Sequence, residues 1–424
     1  MTVIDLNKEN IASYVKSRID FFDQDAILSV YEIGESGEGS EDGDGFINFI
    51  YRVWDNKTGR SVIVKQAKSH AKYFSEKQTN FVRERNEMEA SLMRLRASIT
   101  PEYIPVLYDC DHVNHTFICE DCGHLGISRF EFNKGKIFPK MPIQVADFLA
   151  KNNFYTSELY LEPDVHQRLE ARYIDPEMRK VFQCGLFLHD ESWVIDEGGG
   201  KELDNDSERA AFAEKPWESR AFRTEMLKLR HIHMAKPECL VHGDLHTSNV
   251  MADENDAKII DMEYTYMGPF SADSGYFLCN YIYQYVRWFF IHDFDQAKCA
   301  EMRAYMLSSI KAFIHGYRTI FTDCFEKDAR FTYQGRTEYL DYLLETWFTE
   351  MCGFIGTGIM MRVGHLVPLP DIDTIEDRGE RTEACNILMM IAEHLIMNRE
   401  NIADTDDLID RITGITKAAM AIAR

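Results

Sequence analysis

Apolar and polar positions change their period once along this chain. Up to about residue 120 short apolar runs alternate with turn residues, and beyond it the apolar positions recur at helical spacing. Residues 46–54 (Phe-Ile-Asn-Phe-Ile-Tyr-Arg-Val-Trp) and 61–65 (Ser-Val-Ile-Val-Lys) are rich in β-formers. Asp55-Asn56-Lys57-Thr58-Gly59 between them is a turn signal, so the three segments predict a β-hairpin. Residues 76–96 predict a helix, because Phe81, Met88, Leu92 and Leu95 follow one another at +7, +4 and +3 with charges between. Pro101 and Pro105 close that region, and residues 116–119 form a short strand ending at Glu120-Asp121. After Gly123 the patterns are long and helical. The expected architecture is α+β: a small β-rich N-lobe, residues 1–122, followed by a larger, mainly helical C-lobe, residues 123–424.

Two later segments add to this picture. Asp190–Pro216 is polar, contains Gly198-Gly199-Gly200 and reads as a long exposed loop. Phe277 to Ile291 is the most apolar stretch, but Asn280, Gln284 and Arg287 interrupt it. It predicts a buried helix rather than a membrane span.

The length of 424 residues suits two or three domains or one two-lobed unit. Apolar residues make up 45% and charged residues 28%, which excludes global disorder. The formal charge of −23 argues against nucleic acid or an anionic membrane surface as the main partner, while a local basic pocket for an anionic substrate remains compatible. Met1-Thr2-Val3-Ile4-Asp5 lacks the basic and apolar regions of a signal peptide, so a cytoplasmic location is expected. Ten scattered cysteines read as reduced thiols. Cys119 and Cys122 have CxxC spacing, but no second knuckle completes a zinc site.

The chemistry concentrates in Leu240-Val241-His242-Gly243-Asp244-Leu245-His246-Thr247-Ser248-Asn249-Val250. An apolar pair enters a tight turn at Gly243, which presents Asp244 and, five residues later, Asn249. Ile259-Ile260-Asp261-Met262-Glu263 then reads as an apolar strand ending in two acids that share one face. This is the layout of a phosphotransferase catalytic loop followed by a metal-binding strand. Phosphoryl transfer needs positioning and charge neutralisation. Asp244 fits the carboxylate that takes or orients the acceptor's hydroxyl proton. Asn249, Asp261 and Glu263 fit the hard oxygen ligands of Mg²⁺ on ATP. His242 reads as a loop-shaping histidine, and His246 as a possible substrate contact. Upstream, Gly43-Asp44-Gly45 and Asn48 form a turn before a strand that can cradle ATP phosphates, and Lys65 ends an apolar strand as a phosphate lysine should. Glu89 and Glu87 are the candidates for its helical partner. Glu120 and Asp121 fall at the hinge where backbone groups would meet adenine.

These residues resemble the methylthioribose kinase family, within the aminoglycoside phosphotransferase and choline kinase-like superfamily. Val64-Lys65-Gln66-Ala67 looks like that family's lysine strand, Glu120-Asp121-Cys122-Gly123-His124-Leu125 like its hinge, and His242–Thr247 like its catalytic loop. Asp261-Met262-Glu263 matches its Asp-x-Glu, and Met267–Gly275 its Gly-Pro…Asp-x-Gly segment, in which Asp273 would tie the catalytic loop. The resemblance implies a two-lobed protein kinase-like fold, transfer of the ATP γ-phosphate to the 1-hydroxyl of 5-methylthioribose in methionine salvage, and a homodimer. The family's Arg-Arg pair, which binds around the reacting end of the substrate, falls on Met361-Arg362, so Arg362 inherits the catalytic role alone. Methionine supplies neither the charge nor the forked donors of arginine. The family's Gly-Leu-Ala-His stretch becomes His365-Leu366-Val367-Pro368, a tryptophan-containing segment becomes Ser75–Asn80, and alignment of the next helix places the family's glutamate at Glu89 rather than Glu87. Asn249 stands where close family members have a smaller residue. The changes fall on the acceptor side, so a related 5-substituted ribose is a further acceptor. An aminoglycoside- or choline-type phosphotransferase is the alternative, which predicts acids clustered around Asp244 and no role for Arg362. A nucleotide-binding pseudokinase scaffold is a third reading.

Overall fold

A computed structural model describes residues 3–34, 48–68, 83–174, 187, 215–363 and 369–422. Gly43, Asp44, Gly45, most of the 190–216 segment, Ser75–Asn80 and His365–Pro368 lie outside the described residues.

Helix α1 (Ile11–Arg18) precedes β1 (Leu28–Glu32), β2 (Phe49–Asp55) and β3 (Ser61–Gln66). After α2 (Arg85–Ala97) come β4 (Leu107–Asp111) and β5 (Thr116–Glu120). The five strands form one antiparallel sheet in the order β1-β2-β3-β5-β4. The predicted hairpin is β2–β3. Asp55 builds its turn by accepting from the amides of Lys57 and Thr58, both at 3.1 Å, while Gly59 takes φ +73°. Strand alternation sorts the side chains to two faces. Tyr51, Val53, Val62, Val64 and Ile118 pack with α1 and the N-terminal segment. Ile63, Phe117 and Cys119 face the other way, with Ala90 and Met93 of α2. Lys65 shares the parity of Ile63, so it is delivered to the α2 side.

The helix expected over 76–96 begins at Arg85 among the described residues, with 83–84 in a turn and 76–82 undescribed. Its apolar face, Met88, Leu92 and Leu95, packs on Tyr173, Leu240 and Met267. A second buried face carries Arg85, Asn86, Glu89, Ala90, Met93 and Arg96. Apolar periodicity finds the first face and is blind to the second.

The remainder is mainly helical: α3 (Ser128–Asn133), α4 (Met141–Tyr155), α5 (Pro163–Arg172), α6 (Arg220–Ala235), α7 (Ala272–Arg287), α8 (Gln296–Asp328), α9 (Thr337–Val363), α10 (Pro370–Asp373), α11 (Arg378–Asn398) and α12 (Thr405–Ile422). Every residue of α7 is buried, as its apolar run predicts. The polar residues that interrupt it lie at i, i+4 and i+7 and share one face. Asn280 receives Arg129 Nη2 at 3.1 Å, Gln284 donates to Asp371 Oδ1 at 2.7 Å, and Arg287 donates to the Asp371 carbonyl at 2.8 Å. The Arg129–Asp371 ion pair, at 3.0 Å, is wholly buried. No helix among the described residues is long and apolar enough to cross a membrane, and no disulfide joins the nine described cysteines.

Five short strands position the site. β6 (Gly126–Ile127), β8 (Val250–Ala252) and β9 (Ala257–Ile259) form one ribbon, and β7 (Cys239–Val241) pairs with β10 (Tyr266–Gly268). The chain leaves β7 through 242–249, turns back at β8–β9 and returns through 260–265 to β10 beside β7. Two loops far apart in composition are thereby laid side by side.

Candidate active site

The loop after β7 turns at Gly243, whose φ is +86°. A Cβ there would fall on the Tyr264 carbonyl oxygen, so only glycine fits between the two loops. Asp273, in the first turn of α7, accepts the amides of His242 at 2.5 Å and Gly243 at 3.0 Å. It ties the loop as its motif position suggests. His242 is fully buried; burial, then Arg96, brings its pKa down to about 4, so it is neutral at ordinary pH. Its Nδ1 accepts from the Asp244 amide at 3.3 Å and its Nε2 meets the Ile260 carbonyl at 2.9 Å. The neutral ring thus bridges the two loops, in keeping with a loop-shaping part.

Asp244 and Asn249 lie together. Asn249 Nδ2 donates to the Asp244 carbonyl at 2.9 Å, which turns its Oδ1 the other way. His246 Nδ1 accepts from the Ser248 amide at 3.2 Å, leaving Nε2 3.4 Å from Asp244 Oδ2. The Asp244 side chain keeps 19% of its surface exposed. Burial pushes its pKa up to about 7; Arg362 opposes the rise most strongly and Asp261 adds to it. Arg362 is half-buried in the last turn of α9, with Met361 beside it packed partly against the core.

Asp261 departs from expectation in its backbone. The strand ends at Ile259, and Asp261 takes φ +63°, which no pleated strand accommodates. Glu263 lies in the turn that follows. The two acids therefore do not reach the site by strand alternation, and they point to different surroundings. Asp261 Oδ1 pairs with Lys65 Nζ at 2.5 Å, and its side chain is 30% exposed. Glu89 Oε2 holds the same Lys65 Nζ at 2.7 Å, while Glu89 Oε1 accepts the Met262 amide at 3.2 Å. Burial favours neutral Lys65, but Asp261, Glu89 and Glu263 outweigh it and raise its pKa, so it is charged. Burial pushes Asp261 up, and Lys65 brings it below its ordinary value. Burial pushes Glu89 up to about 7 against the pull of Lys65. Of the two helical acids weighed, Glu89 is the one at Lys65; Glu87 instead meets His112 at 2.9 Å.

Glu263 Oε2 accepts from Asn48 Nδ2 at 2.7 Å and lies 3.4 Å from Arg85 Nε. Arg85 is absent from the sequence reading. Its signal is its place four residues before Glu89, on the same helical face. Arg129 is equally silent, and Asn280 shows in the sequence only as a break in an apolar run: Thr247 donates to Asn280 Oδ1 at 3.1 Å, which links the catalytic loop to Arg129. At the hinge, Glu120 Oε2 accepts from the Val106 amide at 3.0 Å, and Asp121 Oδ2 pairs with Arg52 at 2.5 Å. Both side chains are spent on the scaffold, which leaves backbone groups to meet a base. Burial pushes Cys122 up to about 12 and Cys119 well above its ordinary value, so both are neutral thiols.

Among the described residues no cluster of three His, Cys, Asp or Glu side chains is arranged for a metal. The donors beside Asp244 are instead one open carboxylate, Asp261, and one amide oxygen, on Asn249. Hard oxygens in small number suit an ion that keeps waters and takes further ligands from phosphates, which is the habit of Mg²⁺.

A buried lysine in an ion pair with a helical glutamate, facing an acidic loop beneath a five-stranded sheet, defines an ATP-dependent phosphotransferase acting on a hydroxyl group. The model of the Phosphotransferase enzyme family matches residues 147–307. A methylthioribose kinase of Geobacillus sp. (strain WCH70) is 28% identical over 396 residues, 91% of this chain and 94% of that protein. A methylthioribose kinase of Bacillus velezensis is 26% identical over 403 residues, 95% of each. Among solved structures, a choline kinase from Cryptosporidium parvum Iowa II superimposes with TM-score 0.47 at 15% identity, covering 99% of this chain and 100% of that one. The resemblance to the methylthioribose kinase family, within the aminoglycoside phosphotransferase superfamily, is borne out along nearly the whole chain. The protein is an ATP-dependent small-molecule kinase.

Proposed function

We propose that the chain phosphorylates the 1-hydroxyl of 5-methylthioribose, or of a closely related 5-substituted ribose, as a step of methionine salvage. The observation that carries the reading is the meeting of Lys65, the Asp244–Asn249 loop and Asp261 from three separate stretches of chain, with the Asp244 and Asp261 side chains 19% and 30% exposed. The sugar assignment draws on the names of the relatives and on Arg362, whose charge influences Asp244 more than any other. An amino-alcohol or aminoglycoside acceptor would leave Arg362 without a task.

Residues 1–122 act as the nucleotide-binding lobe and 123–424 as the catalytic and acceptor-binding lobe. Lys65, oriented by Glu89, neutralises ATP phosphates together with the Gly43–Asn48 turn. Glu120 and Asp121 mark the backbone that receives adenine. Asp261 and Asn249 hold Mg²⁺, which supplies charge neutralisation on the phosphates when bound. Asp244 accepts the hydroxyl proton as the acceptor oxygen bonds to the γ-phosphorus and the bond from that phosphorus to the β–γ bridging oxygen breaks, leaving ADP. Arg362 offsets the charge spread over the transferred phosphoryl. The protein works in the cytoplasm, as a homodimer.

ATP consumption with Mg²⁺ and 5-methylthioribose, beside ribose, 5-deoxyribose, choline and kanamycin, tests the acceptor. Turnover of methylthioribose above the others is expected. Turnover of choline or kanamycin in its place would overturn the sugar assignment and keep the phosphoryl-transfer machinery.

Arg362 also makes a pH prediction. Asp244 must be ionised to take a proton, so kcat/KM falls as pH drops through its pKa. Removing the Arg362 charge raises that pKa, so Arg362→Met moves the acid limb to higher pH, whereas Arg362→Lys leaves it near its wild-type place. An unmoved limb in Arg362→Met would separate the two residues.

A further inference from the structure

Arg129 of α3, Asp371 of α10, Asn280 of α7 and Thr247 of the catalytic loop meet in the interior, and each is 0% exposed. Arg129 Nε pairs with Asp371 Oδ2 at 3.0 Å, and Arg129 Nη2 donates to Asn280 Oδ1 at 3.1 Å. Thr247 Oγ1 donates to the same Asn280 Oδ1, also at 3.1 Å. The Asn280 amide is fixed in this sense, because its Nδ2 donates to the Tyr276 carbonyl one helical turn back at 2.7 Å. Asp371 is held just as closely. Gln284 donates to its Oδ1 at 2.7 Å, and Arg287 Nη1 donates to its carbonyl at 2.8 Å and to Thr374 Oγ1 at 2.7 Å.

A buried ion pair adds little stability over an apolar pair of the same volume, because the desolvation of two charges offsets their attraction. What an apolar pair cannot do is aim. A guanidinium forms directed bonds in a fixed plane, here one to a carboxylate and one to an amide oxygen. Helix α7 is the shared support. Its Asn280 reaches the catalytic loop, and its Tyr283 donates to the Gly358 carbonyl of α9, the helix whose last turn carries Arg362, at 2.8 Å. We infer that Arg129 is a positioning residue for phosphoryl transfer. Held by Asp371, it fixes Asn280 and through it Thr247, and so sets the turn that carries Asp244 and Asn249 against the helices that carry Arg362. Thr247 lies between Asp244 and Asn249 in the chain, so a displaced Thr247 moves both. This rests on the roles given to Asp244 and Arg362 above and adds a residue that acts through others.

The test uses the full-length protein. It reads ATP consumption with Mg²⁺ and 5-methylthioribose, AMP-PNP affinity by calorimetry, melting temperature, and hydrogen–deuterium exchange of the peptide spanning residues 242–250. Arg129→Met and Asp371→Leu should each lower the melting temperature, since each leaves one charge buried alone, and the double variant should regain most of the loss. A purely structural pair predicts that kcat returns with the fold. The double variant should instead keep a kcat about tenfold to a hundredfold below wild type, the scale of a misplaced reacting group. Its AMP-PNP affinity should stay within about threefold of wild type, the split expected when only the transfer step is disturbed. Its 242–250 peptide should exchange about tenfold faster, as a loosened loop requires. Thr247→Val cuts the same link from the loop side with the ion pair intact, and should lower kcat by a similar factor. Added to the double variant it should cost nothing further, because residues that act through one contact do not multiply. Wild-type kcat or wild-type exchange in the double variant would overturn the proposal, and so would a Thr247→Val effect that multiplies with it. If the double variant is unfolded, Thr247→Val decides alone, and a wild-type kcat there overturns the proposal. A wild type that leaves 5-methylthioribose untouched would bring down the sugar assignment, and the exchange measurement then decides the positioning role by itself.

Discussion

Asp244→Asn is expected to lower kcat by about 10²–10⁴-fold, the range for loss of a positioned general base, while ATP affinity stays within about threefold. The structure separates the two properties. The backbone of Asp244 holds the loop, its amide on His242 Nδ1 and its carbonyl on Asn249, and both bonds survive the substitution. The side chain has His246 Nε2 at 3.4 Å and feels the Arg362 charge most strongly. Lys65 stays held by Asp261 and Glu89, and removing the Asp244 charge only relieves its repulsion with Asp261, so the nucleotide side should remain assembled. A neutral amide also suits a half-buried place where burial pushes the carboxyl up to about 7, so stability should hold or rise slightly. Steady-state kinetics with ATP calorimetry checks the split. Loss of ATP binding in this variant would remove Asp244 from the role of base.

Lys65→Met should have the opposite signature, with ATP binding lost and the fold weakened together. One ammonium sits 2.5 Å from Asp261 and 2.7 Å from Glu89, with Glu263 near enough to add to its charge. Removing one partner of a buried ion pair costs about 3–5 kcal/mol, because the group left behind keeps its burial cost. Here two carboxylates are left facing each other. Protonation relieves part of that cost, and the sign follows from linkage. Without Lys65 both acids titrate above their unfolded values, so the folded variant binds more protons than the unfolded one. Its stability is then fullest below the ordinary carboxylate range and declines as pH rises through the raised values. Denaturant midpoints of wild type and Lys65→Met should therefore lie closest near pH 5 and diverge toward pH 8. Parallel pH profiles would mean that Asp261 and Glu89 do not depend on this lysine.

Much of the site can be read without coordinates because its residues sit in local contexts of unusual composition. Lys65 ends a β-branched run whose alternation fixes its face, and the hairpin around it is set by Asp55 and Gly59, a few residues away. Gly243 announces its turn because a left-handed backbone wedged against a neighbouring carbonyl admits no side chain. A helical acid after the lysine strand is legible as Glu87 or Glu89, and the family resemblance picks Glu89, which the fold sets against Lys65. The buried helix α7 is legible from its apolar run, and its three polar residues from their common face.

Other features carry no local signal. The strand expected to reach Glu263 stops at Ile259, because Asp261 is held at φ +63° by contacts on both sides: the Ile260 carbonyl on His242 and the Asp261 carboxylate on Lys65. Those partners are 18 and 196 residues away. Arg85 looks like a surface charge at a helix start and is 2% exposed, since its partners Asn48 and Glu263 lie 37 and 178 positions off in sequence. Arg129 and Asp371 likewise look like ordinary charges and form a wholly buried pair.

What the sequence alone determined is therefore the kinds of groups the site owns and the short-range backbone that displays them: a strand-end lysine, a glycine turn with its aspartate and asparagine, and an acid pair. Those depend on φ/ψ preferences and side-chain period over a few residues. Only the tertiary structure decided how the acids are placed, with Asp261 part-exposed beside Lys65 and Glu263 buried against Asn48 and Arg85. The energy of a buried charge depends on which opposite charge reaches it within a few ångströms, and the folded path of the whole chain sets that distance.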